Sequence, residues 1–454
     1  MSPTTATNAS NDKTPALLRR TLFHSKAPTI AAFLALLLAT GLSWYMGVPV
    51  GLLKRPHTSY APPTDDDYTL CEAKTPDHTT YRTLPGAQLV HIQVVTRHGD
   101  RTPAMAILPN EQADWRCDNA EEVTQLADSS TDASDAKDSE HAQRIGAYQR
   151  RVVVPKRPAY RNTVWSSGSC SLGQLTLKGV RQHKALGEQL RAIYVDHLKV
   201  LPERLNASTL SAQLYARSSD VQRTRQSAAA LLTGLWPLKV RDPDARIIPL
   251  HVYPEEAETL WGHPNDCPRA ASVVHAVRSS PEYEAYLERH APLRTRLESL
   301  LGTSGIGKYE RSFLRYLDPI YPRVCHDMPL PCGESGCVTR ADAEELAHCV
   351  SEEYTILRGT HTHAAEYNRL TLGFFLGELR DRMMAAIHAD AARHTDTAKQ
   401  HTVQSPMFEL FSAHDTTIYG LIGALKAKDM RWPPYASIAT ESAFDSDDAR
   451  LLTS

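Results

Sequence analysis

The chain lacks an excess of either charge, a fixed-period repeat and a paired cysteine motif. Its 454 residues hold 50 Lys and Arg against 52 Asp and Glu, and its formal net charge is −2. The two signs are mixed, so no basic surface is expected and no nucleic-acid partner is predicted. The absence of C-x-x-C excludes the usual spacing of a zinc site, and neither a metal nor a cofactor is predicted.

Cysteine is absent from the first 70 residues of the chain. An even number of cysteines lies beyond that point, which predicts disulfides formed in an oxidising compartment. Their spacing leaves the connectivity open. These residues are Cys71, Cys117, Cys170, Cys267, Cys325, Cys332, Cys337 and Cys349.

Charge is absent from residues 30–50, which are rich in Ala and Leu and long enough to span a hydrocarbon core. Four basic side chains and one acidic side chain precede this run, a bias that favours a cytoplasmic N-terminus. The sequence predicts a cytoplasmic tail (1–28), a transmembrane signal anchor (29–53), a stalk (54–81) and a lumenal domain (82–454). A cleaved signal peptide and a secreted form are the alternative. The sequon at Asn206 predicts lumenal glycosylation.

The pattern of the lumenal part is typical of an α/β protein. We expect a central, mostly parallel sheet flanked by helices, with a smaller helical domain inserted at about 281–389. Apolar periodicity predicts helices over 178–197, 281–301, 341–356 and 367–389. Short apolar runs at 89–95 and 408–413 predict buried strands.

The most informative motif follows the first of these strands. Gly99 and Pro103 end the strand pattern, so Arg97, His98 and Arg101 should lie where the strand runs into a turn. In open α/β sheets this edge forms the ligand crevice. Two guanidinium groups beside an imidazole suit a phosphate, whose oxygens need charge-assisted donors.

Two further strands lead into polar residues. The strand at 408–413 is followed by His414 and Asp415, which supply the proton donor that the first motif lacks. A strand that begins at Leu214 leads to Arg217, which is expected to point into the same crevice. Arg223 lies close enough in sequence to compete with Arg217 for that place.

Together these motifs resemble the histidine acid phosphatases, the branch of the histidine phosphatase superfamily that carries R-H-G-x-R-x-P early and H-D late. Residues 172–183 and 216–224 are also similar to segments of that family, and the resemblance covers about 88–437. It implies a metal-independent acid phosphomonoesterase that acts through a phosphohistidine intermediate.

The chemistry of the side chains and the resemblance assign the same roles. His98 attacks the phosphorus, while Asp415 protonates the leaving alcohol and then activates water. The groups expected to bind the phosphate oxygens are Arg97, Arg101, Arg217 and His414.

Within the family, the cysteine pattern is similar to that of the 2-phosphoxylose phosphatases of the Golgi. The similarity lies in residues 190–194, 201–202, 324–327, 331–332 and 336–338. It implies a Golgi enzyme whose substrate is phosphorylated xylose or another phosphorylated glycan. A phytase-type inositol phosphate phosphatase is the first alternative, although many phytases carry H-A-E where this chain has H-D-T. An inactive, membrane-tethered binding protein is the second alternative.

The sequence departs from the family pattern after residue 437. Family members continue there through further strands, whereas this chain turns acidic and ends at Ser454. One edge of the sheet is therefore expected to be incomplete, and this expectation is the reason for the inactive alternative.

Overall fold

The structure, a computed structural model, describes residues 69–81, 89–105, 108–109, 111, 113–117, 169–262, 267–395, 405–427, 430–439, 442–444 and 451–453. Within these ranges no helix is both long and apolar enough to cross a membrane. The predicted tail and signal anchor lie outside the described residues. The stalk prediction is wrong for residues 69–81, because Leu70 is buried in the domain and Cys71 is bonded to Cys325.

The described strands form one central sheet and two small pairs. In chain order they are β1 (Ile92–Arg97), β2 (Leu214–Ser218), β3 (Cys332–Gly333), β4 (Gly336–Cys337), β5 (Phe408–Ala413), β6 (Ile438–Ala439), β7 (Ser442–Phe444) and β8 (Leu451–Thr453). The central sheet has the order β2-β5-β1-β6, in which β2, β5 and β1 are parallel. The predicted mostly parallel sheet is confirmed. At its edge, β6 pairs antiparallel with only Val95 and Thr96 of β1.

The described helices surround this sheet and form a separate layer beside it. They are α1 (Leu177–Arg191), α2 (Leu210–Gln213), α3 (Gln222–Leu235), α4 (Pro268–Arg278), α5 (Pro281–Arg289), α6 (Ala291–Leu301), α7 (Gly307–Glu310), α8 (Leu314–Cys325), α9 (Arg340–Thr355), α10 (Ala364–Thr395) and α11 (Asp415–Ala424). The helices predicted at 341–356 and 367–389 are confirmed, and the one predicted at 178–197 is α1 continued by a π-helix (Ala192–His197). The one predicted at 281–301 is divided at His290 into α5 and α6.

Helices cover both faces of the sheet, as the buried apolar strands require. All six residues of β1 and all six of β5 are buried. On one face Ile92 and Leu410 pack with residues of α1 and α3. On the other face Val95 and Phe411 pack with residues of α10 and α11, among them Phe375. Alternate strand residues therefore point to different helical layers.

Helices α4 to α9 form a second apolar core, in which Tyr286, Leu297 and Val350 are buried. This helical region begins at Pro268, before the predicted limit of 281. The predicted limit of 389 also shifts, because Leu372 and Phe375 of α10 pack on the sheet rather than in the helical core. A long helix can bury residues against both layers, and apolar periodicity alone does not tell which layer covers each turn.

The prediction of disulfides is confirmed for six of the eight cysteines. The pairs are Cys71–Cys325, Cys117–Cys170 and Cys332–Cys337. Cys267 and Cys349 remain thiols, so the even count did not mean that every cysteine is bonded. Burial raises the pKa of the Cys349 thiol to about 12.

Candidate active site

The parallel strands bring four of the predicted residues to one edge of the sheet. The register pairs Arg97 at the end of β1 with Ala413 at the end of β5, so the residues that follow them are neighbours. The backbone N–H of His98 donates to the Ala413 carbonyl at 3.0 Å, and the rings of His98 and His414 lie 5.7 Å apart. Asp415 comes next and opens α11.

The ring of His98 is held in one tautomer by the backbone. Its Nδ1 lies 2.8 Å from the carbonyl oxygen of Gly99, which can only accept, so Nδ1 donates. Nε2 therefore carries the lone pair. A neutral imidazole in this tautomer is ready to act as a nucleophile through Nε2.

Two glycines allow α1 to approach the turn that carries His98. A Cβ atom at Gly99 would lie 2.3 Å from the carbonyl oxygen of Gly179, and one at Gly179 would lie 2.2 Å from the carbonyl oxygen of Asp100. Neither backbone atom can yield as a flexible side chain would. A larger residue at either position would therefore move the turn away from the helix.

Both histidines of the crevice favour the neutral form. Burial holds the pKa of His98 well below its usual range, and Arg223, Arg97 and Arg101 lower it further. The pKa of His414 is also lowered well below its usual value, first by burial and then by Arg223. The Nε2 atom of His414 is 2.8 Å from the hydroxyl of Ser219, and its ring meets that of Trp261 edge to face at 4.9 Å.

The carboxyl group of Asp415 responds to burial and to arginine in opposite directions. Burial raises its pKa, but Arg97 and Arg101 outweigh that effect and leave the pKa below its ordinary value. Oδ2 accepts from Nη2 of Arg97 at 2.9 Å. In the free protein Asp415 is thus ionised above its lowered pKa, and an anion that engages the arginines favours its protonated form.

Arg97 and Arg101 are fixed by partners on different parts of the chain. The Arg97 guanidinium lies 4.1 Å from the ring centroid of Tyr435 and donates to the carbonyl of Pro433 at 2.5 Å. The Arg101 Nη1 donates to Asp318 on α8 at 2.9 Å. Each guanidinium is oriented before any ligand arrives.

Arg217 does not join this cluster, contrary to the sequence-based expectation. Its Nη2 donates to Glu258 at 2.6 Å, its Nη1 pairs with Glu378 of α10, and its guanidinium lies 3.7 Å from the centroid of the Tyr253 ring. The physical reason is depth in the sheet, since Arg217 pairs in register with Phe411, two residues before the level at which Arg97 pairs with Ala413. Its charge is neutralised there.

Arg223, the competing residue, has the properties expected of the missing cation. It lies at the start of α3, and its charge acts on both His98 and His414. Burial lowers the pKa of Arg223 to about 10, and repulsion from Arg101 adds to that effect. Its Nε has no hydrogen-bond partner among the described residues. The sequence signal was present in the motif R-S-S-D-x-x-R-T, but it did not say which arginine faced the crevice.

The crevice has a charged floor and apolar walls. Arg97, Arg101 and Asp415 contribute the charged floor together with Asp318. The remaining lining residues are Leu70, Leu314, Leu317, Tyr321, Pro322, Trp432 and Tyr435. The arrangement suits one anionic group attached to a compact neutral remainder.

Comparisons with known proteins identify the family of this chain. The histidine phosphatase superfamily (branch 2) matches residues 88–448. Human testicular acid phosphatase is 31% identical over 363 residues, which cover 78% of this chain and 67% of the relative. Counting factor 60 of Dictyostelium discoideum is 28% identical over 376 residues, 81% of this chain and 78% of the relative. Human lysosomal acid phosphatase is 28% identical over 305 residues, 66% and 65% of the two chains.

The chain therefore belongs to branch 2 of the histidine phosphatase superfamily. Its acid phosphatase relatives place it among the histidine acid phosphatases and confirm that it is a phosphatase. Among solved structures, the apo phytase of Hafnia alvei aligns with a TM-score of 0.49 and 14% identity over 82% of this chain and 84% of that one.

Proposed function

We propose that this protein is a metal-independent acid phosphomonoesterase in which His98 forms a phosphohistidine. The observation that carries the proposal is a neutral His98, with its Nε2 lone pair available, surrounded by the charges of Arg97, Arg101 and Arg223. Phosphomonoester anions repel nucleophiles, and a cluster of guanidinium groups removes that barrier. A neutral nucleophile beside several guanidinium groups is the arrangement that phosphoryl transfer requires.

In the first step, His98 Nε2 bonds to phosphorus as the ester P–O bond breaks. Asp415, protonated once the substrate has occupied the arginines, gives its proton to the leaving oxygen, so an alcohol departs. In the second step, water attacks the phosphohistidine while the Asp415 carboxylate takes a proton from it. The Nε2–P bond breaks and inorganic phosphate leaves, so His98 is again neutral, and Asp415 releases its proton to solvent once the arginines are free of phosphate.

The third phosphate-binding arginine in this proposal is Arg223 instead of Arg217. Arg217 is paired with two carboxylates, whereas Arg223 pairs with none among the described residues and its charge acts on His98 and His414. His414 is the remaining phosphate ligand. It can donate through one ring nitrogen because its neutral form is favoured.

The substrate proposed is a small phosphomonoester such as a phosphorylated sugar or the phosphorylated xylose of a glycan. The crevice walls support it, because the described lining residues other than the two arginines and two aspartates are apolar or aromatic, apart from the Tyr hydroxyl groups. An inositol polyphosphate is the second candidate, and it would need further cations for its other phosphates. An inactive binding protein is the third candidate.

The proposed location is the secretory pathway, as a type II membrane protein of the Golgi. Three disulfides support an oxidising compartment, and the sequon residue Asn206 is exposed. Expression with microsomes tests the topology. Glycosylated Asn206 together with a protease-accessible N-terminus is expected, and a protected N-terminus or a mature protein that lacks residues 1–54 would contradict it.

Phosphate release from a substrate panel, with and without a chelator, tests the function. Residues 55–454 are assayed near pH 5. The substrates compared are a phosphoxylosyl glycan, inositol hexakisphosphate and an aryl phosphate. The proposal expects chelator-resistant turnover of the aryl phosphate and the glycan. Turnover of the hexakisphosphate alone would favour the second candidate, and no turnover of any of them would favour the third.

A further inference from the structure

Asp318 is a buried acidic residue of the helical region that reaches the crevice. It lies in α8, its side chain is 0% exposed, and its neighbours in the chain include Pro319. Oδ1 accepts from Arg101 Nη1 at 2.9 Å, while Oδ2 accepts from the backbone N–H groups of Ala104 at 2.9 Å and Met105 at 2.7 Å. One carboxylate therefore holds both the guanidinium and the turn behind it.

The contact leaves one edge of Arg101 available for a ligand. Asp318 and the Thr102 carbonyl both accept from Nη1, and Nε has no hydrogen-bond partner among the described residues. Nε and Nη2 form the edge of a guanidinium that binds two oxygens of a phosphate at once. Fixing Nη1 therefore fixes the direction of this edge.

Asp318 also opposes charge repulsion within the crevice. Arg101 and Arg223 act on each other unfavourably, and the Asp318 carboxylate acts favourably on both. A guanidinium that lost its carboxylate would move away from other cations when no anion is bound. Each binding event would then have to return the guanidinium to its original orientation, which would reduce the affinity for the ligand.

We propose that Asp318 is a positioning residue, which holds Arg101 in the orientation that receives the phosphoryl group. The inference rests on the proposed function and assigns a role to the helical region, since α8 supplies a residue on which the phosphate site depends. Asp318 touches neither the substrate nor the reacting atoms in this scheme. It acts through Arg101.

The variant Asp318→Asn tests the inference. Its single carbonyl oxygen can still accept from the two backbone N–H groups, but its amide NH₂ would face Arg101. We expect kcat/KM for an aryl phosphate to fall about 10- to 100-fold, the scale of a small misplacement of a catalytic group. The Kd for inorganic phosphate, measured by calorimetry, should rise, and Asp318→Glu should recover part of that affinity.

A double-mutant cycle with Arg101→Ala separates positioning from general stability. If Asp318 acts through Arg101, then adding Asp318→Asn to Arg101→Ala changes phosphate affinity little further. Asp342→Asn is the matched control, because Asp342 is a buried carboxylate of the same region that caps α9 and pairs with Arg296. It should lower Tm without changing the Kd for phosphate.

Two results would overturn the inference. One is an Asp318→Asn protein, folded as judged by Tm, with the wild-type Kd for phosphate. The other is a fully additive cycle. If Asp318→Asn does not fold, Asp318→Glu decides, and wild-type phosphate affinity in that variant would count against positioning. Failure of the proposed function is distinct, since it means that the wild-type protein releases no phosphate, whereas phosphate binding still tests Asp318.

Discussion

Arginine side chains cluster in two regions of this molecule, and the regions differ in how many carboxylates pair with each arginine. On the sheet face that α10 covers, Arg217 and Arg382 are each paired with two carboxylates. At the crevice, Arg97 and Arg101 each pair with a single aspartate, and Arg223 pairs with no carboxylate among the described residues. A saturated arginine supports the fold, whereas an unsaturated one can receive a ligand.

The saturated region is a chain of alternating charges that links the sheet to α10. Glu378 pairs with both Arg217 and Arg382, and Glu409 of β5 pairs with Arg382 at 3.1 Å. His91 extends the chain, with Nε2 3.4 Å from Glu409. Every member is half-buried or buried, so removing one leaves a charge that water cannot solvate.

The largest expected effect is the loss of activity when His98, the nucleophile of the crevice, is replaced. His98→Ala removes the nucleophile, and kcat is expected to fall roughly 10⁴- to 10⁶-fold, the scale of deleting a covalent nucleophile. Steady-state kinetics with an aryl phosphate measure the loss, and circular dichroism checks the fold. Near-normal rates in a folded variant would contradict the assignment of His98 as the nucleophile.

Replacing Arg223 of the crevice and Arg217 of the α10 face by alanine, one at a time, tests whether the two regions have different roles. Arg223→Ala should lower kcat/KM about 10²- to 10³-fold, as the loss of one preorganised donor does, without lowering Tm. Arg217→Ala should instead lower the free energy of unfolding by about 3–5 kcal/mol, because Glu258 would be left buried without its cation and Glu378 would keep only Arg382. Kinetics and denaturant unfolding of both variants measure these losses.

The opposite pattern of losses in the two variants would contradict the roles assigned to Arg217 and Arg223. A folded Arg217→Ala protein with a large loss of kcat/KM, beside an Arg223→Ala protein with full activity, would restore Arg217 as the phosphate ligand. A loss of stability in both variants with no loss of activity would show that neither arginine binds substrate.

A smaller, substrate-dependent effect is expected at Asp415. Asp415→Asn should reduce kcat for alkyl phosphates about 10²- to 10⁴-fold, the range of general acid catalysis. The loss should be much smaller for aryl phosphates, whose leaving groups need little protonation. Paired assays with a sugar phosphate and an aryl phosphate measure the difference, and equal losses would count against Asp415 as the acid.

The smallest expected effect is a displacement between two pH profiles. The pKa of Asp415 is lowered from its ordinary 3.8 in the free protein, so its acid form is lost as pH rises through that acid range, and kcat/KM should decline from there upward. Bound phosphate neutralises Arg97 and Arg101 and raises that pKa, so the alkaline limb of kcat should lie at higher pH. A kcat limb at or below that of kcat/KM would contradict this coupling.

The parts of the site that the sequence predicts are those encoded next to strand ends. Arg97, His98, His414 and Asp415 follow two buried apolar runs, and parallel pairing brings such ends together. Arg217 was expected at the crevice, but within β2 it pairs with Phe411, two residues deeper in the sheet than the Arg97–Ala413 pair. Tertiary partners that decide this, such as Glu378, lie far away in the sequence.

The contribution of Asp318 could not be predicted for a similar reason. It is 217 residues from Arg101, within a helix whose period shows only that Asp318 falls on a buried face. A buried acid has to be paired, but the sequence does not name its partner. The pairing of Cys71 with Cys325, 254 residues apart, was likewise beyond the reach of local patterns.

Trapping the phosphoenzyme tests the central claim most directly. The protein is mixed with labelled phosphomonoester, quenched in alkali to preserve a phosphoramidate, and digested for mass spectrometry. We expect one phosphoryl group per chain on the peptide that contains His98, stable to base and released by acid, and none in His98→Ala. A phosphoryl group on another residue, or turnover that proceeds with no labelled protein, would contradict it.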